Sequence, residues 1–123
     1  MTTTSPQMHW HAFSYQGRGY TDAEVRRGVA PREHPRSEIA QWIGTMPTVQ
    51  TFTEDEIDKA LDWLEGELTA QVPQDAAHYP IKDRVEASRA RMCETTMRDV
   101  VYGYWSTSKN YCSRGLIACT ARH

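Results

Sequence analysis

Phe52–Gln71, FTEDEIDKALDWLEGELTAQ, is the stretch on which the reading of the whole chain turns. Thr53 and Glu56 have the spacing of a capping box, in which each side chain satisfies an orphan backbone N–H of the first helical turn. Phe52 before the cap and Ile57 inside it are placed to close as a hydrophobic staple. Ile57, Ala60, Leu61, Leu64 and Leu68 then recur at helical spacing, so they share one face of a 3.6-residue helix that must be buried against something. The other surface carries Glu54, Asp55, Asp58, Asp62, Glu65 and Glu67, with Lys59 as its only cation. Early carboxylates suit the helix dipole, and the acidic face reads either as a solvated surface or as a docking surface for a basic partner.

Working outward from this helix, the composition asks for one domain. A chain of 123 residues can bury a single core without disulfides or metal. Its net charge of −2 gives no global attraction to nucleic acid or to an anionic membrane. The start MTTTSPQM lacks a basic region followed by an apolar run, and no stretch is apolar over the length needed to span a bilayer. The three cysteines, Cys93, Cys112 and Cys119, form no CxxC pair. A cytoplasmic protein with reduced thiols and no membrane partner is therefore expected.

Residues 1–8 read as a flexible terminus. His9–Tyr15 alternates like a short strand, ended by Gln16–Gly19, and Thr21 with Glu24 caps a brief helix that stops at Gly28. Ser37–Gly44, SEIAQWIG, reads as a helix with Ile39, Trp42 and Ile43 inward and Gly44 at its end. Pro73–Pro80 breaks the chain, and Ile81–Trp105 reads as a long last helix with Ala90, Cys93, Met97, Val100 and Tyr104 on one stripe. The tail 106–123 holds Leu116–Cys119, which fits either a strand or a closing helix. The expected fold is mainly α, a small domain of about four helices with a short strand or hairpin and a long C-terminal helix.

Within residues 21–79, the order short helix, SEIAQWIG, turn, FTEDEIDKALDWLEGEL resembles a winged helix-turn-helix domain. The resemblance implies a winged-helix-like core whose third helix would enter a DNA groove. Here that helix would present Glu54, Asp55, Asp58 and Asp62 to phosphates, whereas DNA affinity comes from cations that neutralise them. Such a domain is better suited to binding protein.

Cations gather instead at Arg84, Arg91 and Arg98, seven residues apart and so on one face of the long helix. With Lys109, Arg114 and the aromatic residues Tyr102, Tyr104, Trp105 and Tyr111, they read either as a phosphate-binding ridge for nucleic acid or as a face answered by the acidic helix. His9-x-His11 in extended chain points both rings to one side, and Cys112, Cys119 and His123 are the further candidate metal ligands; assembling them requires the two termini to meet. Cys112 beside Lys109 and Arg114 is a candidate thiol nucleophile with His34 or His78 as base.

No catalytic motif is present and no cofactor is implied. The expected function is a non-enzymatic protein-interaction or regulatory module. It could serve as a phage or mobile-element inhibitor presenting Glu54, Asp55, Asp58, Asp62 and Glu65 to a basic protein partner. The alternatives are a nucleic-acid-binding regulator and a small metal- or thiol-dependent enzyme, and the long helix adds an expected homodimer.

Overall fold

A computed structural model describes residues 8–95 and 98–120. Strand β1 (His9–Gly17) is followed by α1 (Asp22–Arg26), β2 (Gln50–Thr53), α2 (Ile57–Ala70), α3 (Ile81–Met92), β3 (Val100–Trp105) and β4 (Tyr111–Cys119). The four strands form one antiparallel sheet in the order β2-β1-β4-β3, so the first and last strands lie side by side at its centre. Their ladder runs the full length of both, from His9 opposite Cys119 to Gly17 opposite Tyr111.

The architecture is α+β and corrects the mainly helical expectation. The helix expected to run from Ile81 to Trp105 ends at Met92, and Val100–Trp105 is a strand. The residues Val100 and Tyr104 are four apart, a spacing that satisfies both a helical stripe and the two-residue period of a strand. Tyr102 completes the strand period, and Val100, Tyr102 and Tyr104 do pack on one side. Cys93 and Ala90, placed on the stripe from the sequence, are exposed, and Met97 lies outside the described residues. The helix expected over Ser37–Gly44 is only a 3-10 turn at Ile39–Gln41: Trp42 is buried as expected, but Ile39 is exposed. Leu116–Cys119 belongs to a nine-residue central strand.

Helix α2 follows its sequence signals closely. Thr53 and Glu56 close the capping box around a 3-10 turn, Glu54–Glu56, that leads into the helix. The Thr53 N–H donates to Glu56 Oε1 at 3.0 Å, and these hydrogen bonds hold the Glu56 carboxyl below its ordinary range. Ala60, Leu61, Leu64 and Leu68 are at most 2 % exposed and pack on Trp10, Ala12, Phe52, Val100 and Leu116 from the sheet. Burying each leucine contributes about 1.5–3 kcal/mol, which is why this face docks the helix on the sheet.

Strand periodicity sends alternate residues of β1 to opposite faces. Trp10 and Ala12 enter the core under the helices, whereas Phe13 joins Trp42, Met46 and Ile117 in a second cluster on the other face. That second cluster is covered by the connection between α1 and β2, tied to the sheet by the Val49 N–H donating to Ala12 O at 2.9 Å. Both faces of the central strands are thus covered, and the chain segment bearing Thr48 is held over His11.

Candidate metal centre

His9 and His11 are two apart on β1, so both rings stand on the face opposite the helices. The β1–β4 register puts Cys119 directly across from His9, on the same face. The outcome is a cluster of His9, His11 and Cys119 whose ligand atoms all lie within 4.8 Å of one another. The two histidines approach through Nε2 at 3.1 Å, with ring centroids 4.8 Å apart at 64°. His11 is buried, while His9 and Cys119 are half-buried at the rim.

Two imidazole Nε2 atoms at hydrogen-bond distance can hold only one proton between them. If both rings carry their proton on Nδ1, the Nε2 lone pairs face each other, which a shared cation would stabilise. Thr48 is compatible with that tautomer in His11: its Oγ1 lies 3.4 Å from His11 Nδ1 on the side away from His9, where the hydroxyl can accept from an Nδ1–H. Such an outer partner fixes ring orientation and leaves Nε2 as the donor to a metal. Phe13 stacks beside His11 with centroids 6.5 Å apart and closes the apolar side of the cluster.

Tetrahedral coordination with bonds of about 2.0–2.1 Å to nitrogen and about 2.3 Å to sulfur places the donors about 3.4 Å (N to N) and about 3.6 Å (N to S) apart. The observed nitrogen pair is within a few tenths of an ångström of that requirement, and the Cys119 sulfur lies within 4.8 Å of the histidine donor atoms. Two imidazoles with one thiolate form a borderline-to-soft donor set, suited to zinc-class transition ions over magnesium or calcium. Among the described residues the cluster includes no carboxylate.

Of the other metal candidates read from the sequence, Cys112 does not join. Cys112 is fully buried on the helical face, against Gln71 and Asn110, and His123 lies outside the described residues. Nor, among the described residues, does Cys112 hydrogen-bond to a histidine. His34 packs on Tyr15 and Tyr111, whose side chains leave the opposite face of the sheet. Its Nε2 accepts from the Tyr20 N–H at 3.3 Å, so Nδ1 carries the proton and donates to Pro35 O at 3.0 Å. Burial lowers the His34 pKa and keeps this satisfied ring neutral.

The acidic and basic residues are also redistributed. Glu54, Asp55, Asp58, Asp62 and Glu65 are all exposed, but Asp58 pairs with Arg89 of α3 at 2.8 Å and Glu54 lies 3.9 Å from Arg98. Arg84 is buried, with its guanidinium on Asp75 and on Tyr79 O, so its charge is consumed inside the molecule. Arg98 lies beyond α3, over the Trp10 ring at 5.0 Å, and donates to Met92 O. Arg91 is exposed and donates to Asp99 O; Lys109 is exposed in the β3–β4 turn; Arg114 is buried under the helical layer, donating to Ser14 Oγ and Tyr15 O. The four cations Arg84, Arg91, Arg98 and Lys109 therefore do not form one ridge.

Comparison with known protein families, characterised proteins and solved structures returned no match, and none of these bears on the resemblance of residues 21–79 to winged helix-turn-helix domains. No helix among the described residues is long and apolar enough to cross a membrane. Thr48 was not among the residues singled out from the sequence, and nothing local to it marks it: its role comes from the loop that carries it over β1.

Proposed function

We propose that this chain is a non-enzymatic metal-binding regulatory module that holds a zinc-class ion with His9, His11 and Cys119. The observation that carries the reading is the convergence of three donor atoms within 4.8 Å on adjacent central strands, two of them nitrogens 3.1 Å apart. An ion there would tie the first strand to the last, so metal occupancy would be converted into stability of the sheet. Among the described residues the cluster supplies three donors, so the fourth coordination position would be open to a further ligand, which gives the module a means of reporting or capturing a soft donor.

The test is titration of chelator-treated protein with Zn²⁺ and with Co²⁺. One equivalent should bind, the cobalt form should show tetrahedral d–d bands with a thiolate charge-transfer band, and Zn²⁺ at a hundredfold excess over its dissociation constant should add about 2.7 kcal/mol to unfolding stability. Cys119→Ser should abolish the charge-transfer band, and His9→Ala with His11→Ala should abolish stoichiometric binding. Equal binding by the triple variant, which keeps the remaining histidines, would sink the reading.

A further inference from the structure

The outer edge of β3 is a second feature of the surface, independent of the metal centre. β3 ends the sheet: the segment 72–74 meets its C-terminal end, where the Gln74 N–H donates to Trp105 O at 2.9 Å and Pro73 bridges Ser106, and among the described residues no strand pairs with the outer side of residues 100–104. Its sequence, VVYGYW, contains no charge and no proline, the devices by which edge strands ordinarily avoid pairing. Among the described residues six large apolar side chains stand exposed, and two of them, Val101 and Trp105, are on this strand. Two more, Ile39 and Tyr79, line with Val101 a cleft of about 540 Å³ between α3 and the strand.

We infer that a second copy of this chain occupies this edge, with the two β3 strands antiparallel across a two-fold axis and the sheets joined into one of eight strands. The reason is self-complementarity. Asp83, Ala87, Ala90 and Arg91 are exposed at helical spacing on α3. Antiparallel packing of α3 on its counterpart, centred at Ala87, brings Asp83 of each copy to Arg91 of the other, while the alanines allow close approach. Arg91 is already held at this edge by its bond to Asp99 O.

The same axis serves the strands. The Tyr102 hydroxyl lies 2.9 Å from both Ser88 Oγ and Arg84 O, so the middle of α3 sits beside the middle of β3. One two-fold axis can therefore pair strand with strand and helix with helix at once. A foreign extended peptide could use the strand edge but would leave Asp83 and Arg91 without counterparts.

The experiment is sedimentation equilibrium across the micromolar range, with and without chelator, with circular dichroism to check the fold of each variant. The wild type should have the mass of two chains in both conditions. Val101→Lys should reduce it to one, and Asp83→Arg or Arg91→Asp alone should raise the dissociation constant about tenfold or more by opposing like charges. The combined Asp83→Arg/Arg91→Asp variant should restore association. A single-chain mass for the wild type, or folded single variants that associate normally, or a charge swap that does not restore pairing, would overturn the proposal and give the edge to another occupant.

Discussion

Replacing Gly115 by alanine tests how the second face of the sheet is built, and with it how Thr48 comes to lie over His11. A Cβ at position 115 would stand 2.6 Å from Trp42 Cζ3 and 3.3 Å from Cε3. Ordinary contact begins near 3.4 Å, so the indole must retreat by most of an ångström. It has little freedom to do so: its Nε1–H donates to Arg36 O at 3.0 Å, and its edge meets Phe13 with centroids 5.8 Å apart. Overpacking of this kind costs about 1–3 kcal/mol. For a chain of this length that lowers the melting temperature by about 3–6 °C per kcal/mol.

The interaction is isolated by a double-mutant cycle with Trp42→Leu, which itself should cost about 2–4 kcal/mol as a truncation in a buried cluster. In that background the added methyl meets no ring, so Gly115→Ala should be neutral or slightly stabilising, as expected for alanine against glycine within a strand. The coupling between the two sites should therefore be about 1–3 kcal/mol, read from urea unfolding midpoints at constant slope. If Gly115→Ala costs the same whether residue 42 is tryptophan or leucine, the connection does not cover the sheet as described, and the placement of Thr48 beside His11 loses its support.

Two further outcomes follow from buried groups. Arg84→Met should cost about 2–3 kcal/mol through lost bonds to Asp75 and Tyr79 O, because Arg84 is only 3 % exposed, whereas Arg89→Ala should change thermal stability little because both members of its pair with Asp58 are exposed. Equal effects in a melting experiment would contradict the assignment of Arg84 to the interior. Burial, opposed by the neighbouring Arg114 charge, pushes the Tyr104 phenol up to about 12. A phenol whose folded pKa is raised stabilises the native state fully below its ordinary value of 10.0, and that contribution is lost as pH rises toward about 12. Phenolate absorbance should show at least one of the six tyrosines ionising late, together with loss of stability in that window; joint titration of all six near the ordinary value in folded protein would refute it.

Where local chemistry was sufficient, the sequence was legible. The Thr53/Glu56 capping box and the Ala60, Leu61, Leu64, Leu68 face defined α2, and the Thr21/Glu24 box defined α1, because caps and amphipathic stripes involve only neighbours along the chain. His9-x-His11 likewise declared a same-side pair as soon as the segment was read as extended. Beyond Met92 the local signal was degenerate, since a four-residue spacing fits both helix and strand. The edge position of β3 beside β4, with Tyr102 and Tyr104 reaching α3 and Gln71, was set by contacts distant in sequence.

Tertiary structure alone decided which candidates meet. Arg84 left the basic stripe because Asp75 and the Tyr79 carbonyl surround it, and Asp58 and Glu54 found Arg89 and Arg98 within the molecule. Cys119 came to His9, and Cys112 did not, because the antiparallel register places residue 119 opposite residue 9 and alternation sends 112 to the other face. That register is fixed by burying Trp10, Ala12 and Leu116 under α2. Such a gain appears only once the two ends of the chain have come together, so the donors could be named from the sequence, but their meeting required the fold.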